Sequence, residues 1–165
     1  MSSNDFKNSV KELDLIIRQN DVEHILTCTM LEFLDKLIVS LALDGETDIS
    51  YDIQISTMED MKKPIRRYDF DEEVEEKDDD DSDAADIDQL NSTIIPTVLI
   101  GAGNNIKNQV LASQIGHRLK QHLAKNIILN ISGKLFGRDS LDEHRPEDSV
   151  VVQQCLHLVT ETYLS

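Results

Sequence analysis

Catalysis and ligand binding need particular residue types at particular spacings, and this 165-residue chain offers four sets to test. Gly101-Ala102-Gly103 lies between an apolar run and an amphipathic one, where exposed amides at a helix start could cradle a phosphate. The dinucleotide fingerprint needs a third glycine at position 106, which is Ile106, and no Gly-Lys-Ser/Thr follows. The stretch reads as a flexible strand-to-helix connection. Five histidines, His24, His117, His122, His144 and His157, are scattered. His117 and His122 are five apart, roughly 140° around a helix and off a common face, and there is no His-Glu-x-x-His zinc helix. Cys28 and Cys155 each sit inside an apolar segment, where a reduced cysteine behaves as a small hydrophobe. Neither lies on a strained loop or a helix start that would stabilise a thiolate. No Gly-x-Ser-x-Gly elbow is present. No catalytic, cofactor-binding or metal-ligating residue is therefore assigned, and the expectation is a protein that is not an enzyme and needs no cofactor.

The fourth set is acidic. Between Asp69 and Asp88 there are 13 acidic residues and one lysine, out of a formal net charge of −16. The remaining 19 acids and 15 bases leave the rest of the chain only mildly acidic. The run lacks the glycine and spaced ligands of a calcium loop and reads as a solvated spacer. Ser82 within it suits an acid-directed kinase; mass analysis of the native protein without phosphate at Ser82 would remove that expectation. An excess of carboxylates without clustered Lys or Arg argues against a nucleic-acid partner. No apolar run approaches the ~20 residues of a membrane-spanning helix, and the N-terminus lacks the basic and apolar regions of a secretory signal. The expected compartment is the cytoplasm, with the nucleus as the other setting.

The elements that would position any site follow from periodicity. Leu37, Val39, Leu41 and Leu43 alternate with Ile38, Ser40 and Ala42. Asp44-Gly45 supplies a turn, and Ile49, Tyr51, Ile53 and Ile55 alternate with polar residues. Alternation on both sides of Asp-Gly predicts a β-hairpin. Upstream, His24 to Leu31 reads as a strand; Val10, Leu13 and Ile17 also fit a helical face, but the alternation of Leu13, Leu15 and Ile17 and the tight turn at Gln19-Asn20-Asp21 favour a strand there too. From Ser56 to Thr93 the pattern vanishes; so acidic a stretch cannot bury enough apolar surface to offset its ordering entropy, so 56–93 is expected to be a disordered insert. Ile94 to Ile100 is a strand with Pro96 at its start or on an edge. A helix from about Ile106 to Ala124 follows, capped by Asn104 or Asn105, with Ile106, Val110, Leu111, Ile115, Leu119 and Leu123 as its apolar stripe. Asn126 to Ser132 is a strand, 133–147 a polar loop, and Pro146 opens a last helix with Val151, Cys155, Leu156, Val159 and Tyr163 buried.

The fold class expected is α+β: one domain over residues 1–165, an antiparallel sheet or sandwich with two amphipathic helices on one side. Two helices cannot cover both faces of such a sheet, so a face or edge is left for a partner. The strand carrying Ile49, Tyr51 and Ile53 is expected to contribute either to a partner interface or to the shared core.

Three segments together carry a family resemblance. They are Thr27-Cys28-Thr29 through Leu37–Leu41 and Ile49–Ile53; Val98-Leu99-Ile100-Gly101 with the helix after it; and Asn126–Ser132 with the last helix through Val151, Leu156 and Val159. In element order and hydrophobic pattern the chain resembles the proteasome-assembly chaperone 3 and 4 family, in its fungal form. The Cys-Thr strand and the length of the third strand favour the third member over the fourth. The resemblance implies a heterodimer with a sister chaperone. It also implies binding to α-type subunits of the 20S proteasome, the fifth especially, so that the α-ring assembles in order, without nucleotide or metal. A longin- or roadblock-like adaptor subunit, which also pairs a sheet with amphipathic helices, is the alternative reading, and a small enzyme whose site forms only in three dimensions is the third.

Overall fold

A computed structural model of the chain describes residues 10–19, 21–55, 94–102, 105–137 and 145–165. The acidic insert, Ser82 and His144 lie outside the described residues.

Strands β1 (Val10–Gln19), β2 (Val22–Glu32) and β3 (Lys36–Leu43) form an antiparallel meander. Asp21, at φ 63°, supplies the left-handed residue of the first turn, a role its short polar side chain tolerates. The β1 segment, whose apolar residues fit either period, is a strand, because the turn at Asp21 brings it into register with β2 from Val10↔Leu31 to Gln19↔Val22.

After β3 the hairpin expectation needs correction. The Asp-Gly turn forms, with Asp44 at φ 52° and Gly45 at φ 80° and paired hydrogen bonds between Leu43 and Glu46. Strand β4 (Ile49–Ile53), however, does not pair with β3. The register explains why. Extending the Leu43–Glu46 pair would set Ile49 opposite Ser40 and Tyr51 opposite Ile38, and so place the apolar set of β4 on the face away from Leu37, Val39 and Leu41. Strand register admits no half-measure, since a one-residue offset turns every side chain over. The chain instead steps aside at Asp48, whose amide donates to the Ile131 carbonyl and whose carboxylate accepts from the Gly133 amide. Strand β6 (Asn126–Ile131) fills the space, parallel to β3 and antiparallel to β4. Ile49, Tyr51 and Ile53 then stand beside Ile131, Leu129 and Ile127, all on one face.

Strand β5 (Thr97–Ile100) closes the far edge against β4, giving one six-stranded sheet in the order β1-β2-β3-β6-β4-β5. The α+β class is what forms; the sheet is single and mixed, with β3–β6 its parallel pair, where an antiparallel sheet or sandwich was expected. Helix α1 (Ile106–Lys120) packs on β4 and β6, and helix α2 (Pro146–Leu164) on β1 and β2, on the same side. Asn105 caps α1 by accepting from the Asn108 amide at 3.2 Å. Pro146 and a capping box through Asp148 open α2.

The predicted stripe of α1 is rotated. Asn108, Leu111, Ala112, Ile115, Gly116 and Leu119 meet the sheet, whereas Ile106 and Val110 are 62% and 45% exposed. Small residues at 112 and 116 let the helix approach closely: a Cβ on Gly116 would meet an Ile53 methyl at 2.8 Å. In α2, Val151, Cys155 and Val159 are buried as predicted, joined by Leu158 and Thr162, while Leu156 and Tyr163 are half-buried. Leu135 and Phe136, within the expected polar loop, are buried in the core.

Candidate protein-interaction surface

Residues with catalytic potential end up apart or occupied. His24 Nδ1 lies 2.7 Å from an Asp44 carboxylate oxygen. The other Asp44 oxygen accepts from the Ile25 amide at 2.9 Å. These bonds, the histidine first, hold the Asp44 carboxyl below its ordinary value, and the pair braces the turn at the end of β3. His122 stacks obliquely on Tyr163, with ring centroids 5.7 Å apart. Cys28 and Cys155 are both buried, and desolvation pushes their thiols up to about 11 and about 12, the opposite of an activated nucleophile. Among the described residues no group of three His, Cys, Asp or Glu side chains could hold a metal ion, and no helix is long and apolar enough to cross a membrane. Gly101 has a packing reason to be glycine. Its φ is 94°, and a Cβ there would meet the Asp48 carbonyl oxygen at 2.6 Å, so the end of β5 could not close on β4 with any other residue.

A cleft of ≈ 490 Å³ runs between the helices, with Ile106, Val110, Phe136, Val152 and Leu156 as its apolar lining. It is crossed by an ion pair, Lys107 to Asp148 at 2.8 Å, with both side chains largely buried. Asp148 Oδ2 also accepts from the Arg145 amide at 2.9 Å, so one carboxylate both caps α2 and ties it to α1. The lining holds neither histidine nor cysteine.

The larger feature is the sheet face that the helices leave open. In-register pairing aligns Val10, Leu31, Ile38 and Ile128 across four adjacent strands, an apolar row of half-exposed and exposed side chains. Beside it runs a polar row, Glu12, Thr29, Ser40, Asn130 and Ser50. Its members bond mainly to one another. Thr29 Oγ1 donates to Glu12 at 3.0 Å, Asn130 Nδ2 donates to Ser40 Oγ at 3.2 Å, and Ser50 Oγ donates to Asn130 Oδ1 at 2.6 Å. Apart from the Glu12 carboxylate, this row is satisfied within its own face and can be covered at little desolvation cost. Past it, Ile16 and Ile25 pair in the open.

The strand of Ile49, Tyr51 and Ile53 was expected to serve either a partner interface or the shared core. The structure places these residues at 5%, 0% and 0% exposure, on the helix-covered face, where they build this chain's own core. The Tyr51 hydroxyl has no hydrogen-bond partner among the described residues, and burial raises its pKa. The open-face residues were visible as the alternate members of the same strands: Ile38, Ser40 and Ala42 stand between the core leucines of β3. Their mixture of β-branched, small and hydroxyl side chains, with no long charged residue between Ile38 and Leu43, was the signal for a face awaiting cover.

No curated protein sequence matches the chain. The fold is similar to a chain in the crystal structure of a novel chaperone complex for yeast 20S proteasome assembly, with a TM-score of 0.58 at 14% identity, covering 94% of this chain and 98% of that one. The sequence pattern of the 20S proteasome chaperone assembly proteins 3 and 4 matches residues 1–160. With nearly its whole length matched, this chain belongs to the family of 20S proteasome chaperone assembly proteins 3 and 4.

Proposed function

We propose that the chain is a 20S proteasome assembly chaperone that pairs with a sister chaperone through its open sheet face. As that heterodimer it holds α-type subunits, the fifth especially, so that the α-ring forms in order. The observation that carries the reading is the family match over residues 1–160. The uncovered face supplies its physical footing, because an apolar row bordered by a self-satisfied polar row is suited to reversible burial. An assembly factor must bind well enough to bias order and weakly enough to leave, which fits an interface of about 800 Å² per partner and not an obligate core. Its work is binding, not catalysis, in the cytoplasm and nucleus.

Native affinity purification with mass spectrometry tests this. The expected co-purifying proteins are a sister chaperone and free α subunits, without mature β subunits. Subunits of a membrane-bound trafficking complex would instead establish the adaptor reading, and localisation of the tagged chain to a membrane compartment would overturn the proposed setting.

A further inference from the structure

The open face carries charge as well as apolar rows, and the charge is one-sided. Its strands present Glu12, Asp14, Arg18, Glu23, Lys36 and Asp52 on this side. Both cations are engaged: Arg18 bonds Glu23 at 2.7 Å and Lys36 lies 3.5 Å from Asp35. Among the described residues that leaves the carboxylates of Glu12, Asp14 and Asp52 without a cation, two near one sheet edge and one near the other. In a two-fold pair each contact is made twice, residue i to j and j to i. Among the described residues of this face a second copy offers only Arg18 and Lys36, each already beside a carboxylate of its own, so stacking two copies buries an excess of like charge.

Resting on the reading that this face is the docking surface, we propose that it discriminates by charge. It rejects a second copy of this chain and accepts a sheet of the same fold that carries Lys or Arg over Glu12, Asp14 and Asp52. The apolar row of Val10, Leu31, Ile38 and Ile128 is common to any stacking and supplies adhesion. The carboxylates supply the choice of partner.

The test uses the full chain at roughly physiological ionic strength, where a Debye length of about 8 Å leaves contact-range charges effective. Sedimentation velocity is run on the wild type alone and on an equimolar mixture with the double variant Asp14→Lys, Asp52→Lys. The expected result is association in the mixture at least about tenfold tighter than wild-type self-association, abolished when Ile38→Asp is added to either member. The acidic run at 69–88 could attract the new lysines by itself, and the Ile38→Asp control, which keeps the run and every lysine, separates that attraction from sheet stacking. Wild type that self-associates as tightly as the mixture, or a mixture that stays monomeric, overturns charge selection. Either outcome is distinct from failure of the proteasome reading, which shows in the co-purifying proteins.

Discussion

Cys28 and Cys155 show how residue type gains meaning only from surroundings. Two cysteines in apolar segments could have been a redox pair or a nucleophile, and burial makes them neither. Their thiols sit at about 11 and about 12, raised chiefly by desolvation. The native protein at mildly alkaline pH is therefore expected to leave both unreacted with a thiol-specific disulfide reagent, and both should react on unfolding; rapid native labelling would contradict the burial. The linkage follows in sign. A thiol whose folded pKa is raised contributes stability that is whole below its unfolded pKa of about 8.5 and is lost as pH climbs toward the folded values. Alkaline destabilisation should thus shrink in a Cys155→Ala variant. Asp44 behaves oppositely: the bonds from His24 and Ile25 lower its pKa, so its contribution is present above the unfolded value of about 3.9 and fades as pH falls through the folded one. In a His24→Gln variant, an NMR titration should find the Asp44 carboxyl shifted back upward; an unchanged midpoint would mean the histidine bond does not form in solution.

Among the elements, what was legible was local and what was missed was not. All six strands were legible, four from alternation and β2 and β5 from their apolar, β-branched runs, and the helix starts were readable from Asn105 and Pro146. The partner of β3 was not readable from the Asp-Gly turn, because turn chemistry governs the first pair and the apolar register governs the rest. Here the two disagree, and the register prevails. Leu111, Ile115 and Leu119 of the expected α1 stripe are buried, and Ile106 and Val110 are not, for a related reason. Counting large apolar residues overlooks that a helix lies nearest a sheet where its side chains are smallest, at Ala112 and Gly116. That closeness yields a prediction. Gly116→Ala gains up to about 1 kcal/mol in helix propensity, but the new methyl meets Ile53 at 2.8 Å and Ile94 at 3.0 Å, an overpacking that costs about 1–3 kcal/mol. The variant is expected to unfold at lower urea concentration than wild type. A higher midpoint would show that the two isoleucines yield freely.

At the scale of the whole molecule, the sheet has one face that builds the core and one that the helices leave open. Tyr51 and Ile38 lie on opposite faces of the sheet, the first fully buried beneath the helices and the second half-exposed beside Leu31 and Ile128. Both are apolar members of alternating strands; the small and hydroxyl neighbours of Ile38 marked its side as the less apolar one, and the crossover that seats β6 beside β4 sets the two residues on opposite faces of one sheet. The same substitution should therefore have two different consequences. Tyr51→Asp leaves an unpaired carboxylate in the core, a burial severe enough to consume most of the 5–15 kcal/mol that holds a domain together, and the chain should be unfolded by circular dichroism. Ile38→Asp places its carboxylate where water still reaches, so the cooperative unfolding transition should survive within about 1 kcal/mol, while co-purification of the sister chaperone is lost. If Ile38→Asp keeps its partner, the open face is not where the complex forms.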